Sequence, residues 1–354
     1  MSAFGGDRSD AASGSRKAPD PHPRGGATRG VVKAAEHFDT LERVKLPAGP
    51  VHLAIGMFDG VHRGHQAVIG AAVQAARRRG GLAGVLTFAP HPSVVLRPEN
   101  PTRLIFSPEV KRHLLSGLGI DFLVEHPFTA AFADTTAAGF VALLKQALPA
   151  LEAVYVGENF RFGRGREGDI ALLIEAARAA GFAVSSAPRL SDGGAPVSSS
   201  RLRALIAAGQ IEEANVLLGY SYFCSGRVEQ GKQLGRTLGF PTLNLRWAPD
   251  LGPRHGVYAV VVTDAAGVDA PGVANWGLRP TVESAPPEPR LEVHVLAPTR
   301  LTYGDAVTVR WLRFLRPERR FADVQELRAQ IEIDSRNALA ALRNLSAQEP
   351  PKSA

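Results

Sequence analysis

From residue 51 to about residue 208, short apolar runs alternate with stretches of helical period. "VHLAIGMF" (51–58), "GLAGVLTF" (81–88), "DFLVEH" (121–126), "AVYVG" (153–157) and "FAVSSAP" (182–188) read as strands. The segments between them carry apolar residues three and four apart and read as helices. In "SPEVKRHLLSGLG" (107–119), Ser107 is a natural N-cap, Pro108 suits the first helical position, and Gly117 or Gly119 marks the end. Strand–helix alternation with apolar strands predicts an α/β domain: a parallel sheet with helices on both faces. In such a sheet ligands bind beyond the carboxyl ends of the strands.

After a helical link, residues 209–219, the pattern changes. "SYFCSGRVEQ", "GVYAVVVTD", "RLEVHVLA" and "DAVTVRWLRF" are β-rich runs separated by Gly, Pro and Asn turns. They predict a compact antiparallel β-barrel over 220–345. An amphipathic helix closes it, with Leu327, Ile331, Ala338 and Leu339 on the expected buried face. Residues 1–45, rich in Gly, Ser, Ala, Pro and Arg, are expected to form a disordered tail, as are 346–354.

Composition narrows the class. The 354 residues are 45% hydrophobic and 21% charged, enough for two cored domains. The single cysteine, Cys224, excludes an internal disulfide and a cysteine-rich zinc site. No apolar run approaches the roughly 20 residues a bilayer crossing needs, and the first residues hold no hydrophobic signal core. A cytoplasmic enzyme is expected, with no membrane and no obligate protein partner. The net charge of +7 is spread without a basic block, so nucleic acid is not expected as a partner either.

The candidate chemistry gathers at predicted strand ends. "GMFDGVHRGH" follows the first run and opens a helix. His62 and His65, three apart, share a side of that helix. Gly60 and Gly64 allow close backbone approach, and the helix N-terminus favours phosphate. A zinc pair would lack a third ligand nearby. "TFAPHP" (87–92) ends the second run and supplies His91. "GENFRFGRGREGD" (157–169) ends another, with Asn159, Phe160, Arg161 and Phe162 offering an aromatic surface and polar readers. "VSSSRLR" (197–203) puts Ser198, Ser199 and Arg203 at a helix start, where hydroxyls and a guanidinium can clamp phosphate. Four such segments at one sheet edge favour a nucleotide site.

These elements resemble the adenylyltransferase module of the bacterial bifunctional riboflavin kinase/FAD synthetases. That module is a Rossmann-like member of the nucleotidylyltransferase superfamily, whose signature here is "HRGH" (62–65). "GRVEQGKQLGRTLGFPTLNL" (226–245), "HGVYAV", "GVANWGLRPTV" (272–282), "LEVHVL" and "LTYGD" resemble the riboflavin kinase barrel in order and spacing. The resemblance runs from about residue 51 to 343. It implies phosphorylation of riboflavin to FMN in the C-terminal domain and adenylylation of FMN to FAD, with release of pyrophosphate, in the N-terminal domain, 46–208.

The implied kinase residues are Gly231, Lys232, Gly235, Arg236 and Pro241 around ATP phosphates, Thr242 and Asn244 on Mg²⁺, and Glu292 as the base. The implied adenylyltransferase residues are Gly56, Phe58, Asp59, Gly60, Gly64, Ser198 and Ser199 around ATP. His62, His65 and Arg203 would be the catalytic set, and His91, Asn159, Phe160 and Arg161 would touch flavin or nucleotide. Asn159, Phe160 and Arg161 would touch either the flavin or the adenine. The implied small molecules are riboflavin, FMN, FAD and ATP, with Mg²⁺. The alternative is a single-activity nucleotidylyltransferase of the "HxGH" superfamily acting on another substrate. Met57, Ser200, Ala297–Thr299 and the proline-rich 285–289 depart from the family's usual residues.

Overall fold

The computed structural model describes residues 35–231, 239–278 and 289–348. The first sheet is built from β1 (Glu36–Phe38), β2 (Val51–Ile55), β3 (Leu82–Ala89), β4 (Phe122–Pro127), β5 (Leu151–Gly157) and β6 (Ala183–Ala187). They lie in the order β1-β4-β3-β2-β5-β6, and every neighbouring pair is parallel. All five residues of β2 are buried, as a strand covered on both faces requires. Helices α1 (Arg63–Arg79), α3 (Pro108–Ser116), α5 (Ala137–Ala147) and α6 (Ile170–Ala180) flank the sheet. Short α2 (Pro92–Leu96) and α4 (Ala130–Ala133) fill the connections. Ser107 caps α3 by accepting from the Val110 amide, with Pro108 at its first turn. The strand order reverses direction between β2 and β5, so the loops after these two strands flank the crevice where such sheets bind ligands.

The chain joins this sheet earlier than its composition predicts. Residues 36–38 form the edge strand beside β4 instead of belonging to a tail that runs to residue 45. The reason is local: Leu41 is fully buried, and the Phe38 ring meets Phe122 edge-on at 6.5 Å.

A two-stranded ribbon, β7 (Ser191–Asp192) and β8 (Ala195–Pro196), follows β6, and two helices, α7 (Ser199–Ala208) and α8 (Ile211–Leu218), lead into a closed antiparallel barrel. Its strands are β9 (Phe223–Glu229), β10 (Thr242–Leu245), β11 (Gly256–Asp264), β12 (Asp269–Leu278), β13 (Pro289–Val295) and β14 (Ala306–Arg316), in the order β10-β13-β12-β11-β14-β9. Trp276 and Trp311 fill the interior with Tyr222 and Tyr258. The closing helix α9 (Val324–Gln348) lays Ala338 and Ala341 on Val257, Ala259 and Val261. Its buried face differs from the apolar pattern: Leu327, Ile331 and Leu339 are only half-buried, whereas Asp334 is 2% exposed. Arg316 of β14 explains this, meeting the Asp334 carboxylate at 2.8 Å.

The two units share packing. Phe106 of the first lies 5.3 Å from the Tyr222 ring and 5.2 Å from Phe223, centre to centre, at the root of the barrel.

Candidate active sites

The turn after β2, residues 56–62, is held in a conformation most side chains avoid. Phe58 and Val61 have φ of 50° and 37°, and Gly60 has φ of 80°. A Cβ on Gly60 would meet Ile105 at 2.8 Å and Leu202 at 2.9 Å, so both space and dihedral demand glycine. The surroundings fix the turn. Phe58 and Val61 are each 2% exposed. Gln66 Nε2 donates to the Val61 carbonyl at 2.8 Å, and the Tyr220 hydroxyl, from the barrel side, donates to the Gly60 carbonyl at 2.8 Å. Such strain, about 1–3 kcal/mol per residue, persists where the environment over-determines it.

His62 is the N-cap of α1, its Nδ1 accepting from the His65 amide at 3.3 Å. In a neutral ring this puts the proton on Nε2. The two imidazoles stack with centroids 3.6 Å apart and planes 18° from parallel. Burial, with a contribution from the Arg203 charge, pushes His62 down to about 4. The same causes, with the neighbouring His62 and Lys111, hold His65 well below its ordinary value. Both rings are therefore neutral near pH 7 and act as hydrogen-bonding groups rather than cations. His91, the N-cap of α2, is likewise pushed to about 4, by burial and then Arg203.

Arg203 on α7 reaches the same turn. Its Nη2 donates to Asp59 Oδ2 at 2.6 Å and its Nε to the Arg103 carbonyl at 2.8 Å. Asp59 Oδ1 accepts from the Ile105 amide at 3.1 Å. Burial raises the Asp59 carboxyl, and Arg203 opposes that. The sequence puts Asp59 and Phe58 among the phosphate binders. Here the Asp59 carboxylate is a buried brace for Arg203, and the Phe58 ring is core, edge-on to His65 at 5.3 Å. Ser198 caps α7, and Ser199 Oγ donates to the Asp59 carbonyl at 2.8 Å.

Across the switch point, the loop after β5 carries Asn159, Phe160 and Arg161 into the lining of a cavity of about 520 Å³. Phe160 stacks on Phe162 at 5.7 Å. Phe162 itself is core, packed on Phe140, and presents no ligand surface, contrary to the reading from sequence. Arg161 pairs with Asp169 at 3.6 Å.

One residue at this edge escapes the motif reading. Lys111 of α3, its side chain 12% exposed, donates to Thr87 Oγ1 at 3.2 Å and stands 3.6 Å from Glu125 Oε1. The signal was available: Lys111 precedes Leu114 and Leu115 by three and four positions, on the buried face of the helix.

The second cluster lies on the barrel wall. Asn244 of β10 is directly opposite Glu292 of β13, and Thr242 is opposite His294. Paired residues and residues two apart share a face. Thr242, Asn244, Glu292 and His294 therefore gather on one side of the ribbon, while Leu245, Leu291 and Val293 fill the interior. Asn275 of β12, which no motif reading singled out, is opposite Glu292 on its other flank and joins this face. Asn244 Oδ1 is buried with no hydrogen-bond partner among the described residues. Gly231 lies against that amide: a Cβ there would meet Asn244 Nδ2 at 2.2 Å. The Pro241 carbonyl meets His294 Nδ1 at 2.9 Å. Lys232, Gly235 and Arg236 lie outside the described residues. Beside this face, Phe240, His294, Ala297, Pro298, Arg336 and Leu339 help line a cavity of about 580 Å³ between barrel and α9.

A family model for FAD synthetase matches residues 47–201, and one for riboflavin kinase matches residues 218–342. The bifunctional riboflavin kinase/FMN adenylyltransferase of Escherichia coli (strain K12) is 39% identical over 287 residues, 81% of this chain and 91% of that protein. The chain belongs to the bifunctional riboflavin kinase/FMN adenylyltransferase family. The Bacillus subtilis (strain 168) member is 36% identical over 296 residues, 83% of this chain and 93% of that one. A crystal structure described as a macrolide-efflux protein from Streptococcus pneumoniae has a TM-score of 0.78 at 28% identity, covering 86% of this chain and 98% of its own. That description belongs to that protein; among the described residues here no helix is long and apolar enough to cross a membrane. As a member of the family this chain phosphorylates riboflavin to FMN and adenylylates FMN to FAD, with ATP as donor in both steps. Matches to both modules favour this over a single-activity nucleotidylyltransferase acting elsewhere.

Proposed function

We propose that the two reactions run on the two residue clusters described above, adenylyl transfer at the sheet's carboxyl edge and phosphoryl transfer on the barrel wall. The observation that carries the reading is the pairing of Asn244 with Glu292, beside Thr242, on one outer face of the barrel. Phosphoryl transfer asks for positioning and charge neutralisation more than for covalent chemistry. Glu292 takes the proton of the terminal ribityl hydroxyl as its oxygen attacks the γ-phosphorus of ATP; the bond to the β-phosphate bridging oxygen breaks and ADP leaves. The cavity beside α9 suits the apolar ring system of riboflavin, with Phe240 and Leu339 against it. Mg²⁺ fits the donor set: the buried Asn244 Oδ1 lacks a partner among the described residues, and amide and hydroxyl oxygens suit a hard cation. Thr242 and Asn244 would hold it, and it would supply charge neutralisation to the ATP phosphates.

At the sheet edge, a phosphate oxygen of FMN attacks the α-phosphorus of a second ATP, and the bond to pyrophosphate breaks. No protein nucleophile is required. His62 Nε2–H, His65, Arg203, Ser198, Ser199 and the N-terminus of α1 hold the negative charge as it shifts toward pyrophosphate. Asn159, Phe160 and Arg161 hold a ring, of the flavin or of adenine. The cytoplasm, where ATP is formed and used, is the setting this chemistry suits.

The test uses two variants. Glu292→Gln should lower FMN formation by about 10²–10⁴-fold, the range for a positioned base, while FAD formation from supplied FMN persists. His62→Ala should do the reverse, by about 10²–10³-fold. Loss of both reactions in either folded variant would contradict the two-site assignment.

A further inference from the structure

The buried lysine under the strand tips has no role in the scheme above. Lys111 is on α3, and α3 is not one of the elements the motifs mark. Glu125, its ion-pair partner, is shared with two other groups, both on Oε2, while its buried Oε1 accepts no hydrogen bond among the described residues. Arg112 Nη1 donates to Glu125 Oε2 at 2.7 Å, and His37 Nε2 is 3.3 Å from the same oxygen. Lys111 Nζ is 3.6 Å from Oε1, too far for a direct hydrogen bond. Its hydrogen bond goes the other way, to Thr87 Oγ1. Thr87 is fully buried and passes the interaction on, donating to the Met57 carbonyl at 3.1 Å. Met57 immediately precedes the strained turn that carries Asp59 and His62. A buried ammonium needs compensation, and Lys111 receives it from Glu125 and, at longer range, from Asp59. The lysine's field also reaches past Glu125: it acts on His65, His91 and Asp59.

We propose that Lys111 is a positioning residue for adenylyl transfer, bracing Thr87 and the Met57 carbonyl beneath the 56–62 turn and lending positive charge to the ATP phosphates above it. This rests on adenylyl transfer occurring at the sheet edge. Its action is through Thr87, the turn and the field; it needs no contact with the reacting atoms.

The experiment uses the full chain, and riboflavin phosphorylation in the same preparation reports on folding. With FMN, ATP and Mg²⁺ supplied, Lys111→Met should lower kcat/KM for ATP in FAD formation by about 10- to 100-fold, the range for a residue supporting a site from behind. The KM for FMN should stay within about twofold, and so should riboflavin phosphorylation. A purely structural role, neutralising Glu125, makes a different prediction. Then Lys111→Met/Glu125→Gln, which strands no buried charge, would recover FAD formation; our account expects the double variant to stay as slow as the single one. Recovery in the double variant would overturn the proposal, as would a single variant within about twofold of wild type. Should Lys111→Met lose both activities, the double variant decides alone: low FAD formation with intact phosphorylation supports the proposal, and normal FAD formation overturns it. A wild-type chain that makes FAD, but makes it unimpaired after His62→Ala, would instead sink the siting of adenylyl transfer on which the proposal rests.

Discussion

His62 and His65 meet face to face at 3.6 Å, a separation at which two imidazolium ions would repel strongly. The pair is built to be neutral, and its usefulness to a triphosphate is an aimed N–H rather than a charge. This has a thermodynamic signature. Between pH 6.5 and about 4 the unfolded chain binds a proton at residue 62 that the folded chain refuses. Stability from this residue is therefore present above about pH 6.5 and lost as pH falls toward 4. His91 adds in the same sense, while the raised Asp59 carboxyl opposes both in the acid range. The melting temperature of wild type should fall from pH 7.5 to pH 5, and His62→Asn, which keeps a capping side chain but cannot take the proton, should show a smaller fall. An equal fall in the two proteins would show that His62 is not held neutral. The spacing of the two histidines announced their shared side. Their neutrality did not follow from spacing, because it depends on burial under residues far along the chain, and neither did the turn of Asp59 inward to Arg203, 144 positions away.

At the scale of elements, the 56–62 turn concentrates the site's demands. It joins a strand buried on both faces to a helix whose first turn must stay open, and it does so through three residues at positive φ. Gly60→Ala would bring a methyl carbon within 2.9 Å of Ile105 and Leu202 at a φ of 80°. We expect it to lower stability by about 1–3 kcal/mol and to depress FAD formation far more than FMN formation, read by melting and by product assay. The parallel strands were legible from their apolar runs. β1 was not: three residues following a Gly- and Ser-rich stretch carry too little pattern, and Phe38 and Leu41 are committed only by their partners. β12 was also hard to see, because Gly272, Asn275 and Gly277 interrupt its apolar positions while its burial comes from the barrel around it.

At the scale of the molecule, the sheet unit and the barrel are not beads on a string. Phe106 stacks into Tyr222 and Phe223, Tyr220 holds the Gly60 carbonyl, and Asp250 of the barrel accepts from the Leu104 amide at 2.5 Å. Wild type should lose FMN-forming and FAD-forming activity over one temperature range. Phe106→Ala, costing about 3–5 kcal/mol, should lower both together. Two separate transitions would show that the units fold independently. The order of the two units was legible from the change of grammar near residue 220. Their shared core was not, since no local period records a contact between a loop of one unit and the root of the other.

The most direct test of two separate sites acting in sequence is a mixing experiment. Glu292→Gln and His62→Ala proteins are each incubated with riboflavin, ATP and Mg²⁺, and then combined, with FMN and FAD resolved by chromatography. Alone, the first should accumulate neither product and the second should accumulate FMN only. Combined, they should make FAD, the FMN released by one being adenylylated by the other. A mixture that yields FMN but no FAD, from two folded proteins, would contradict the account.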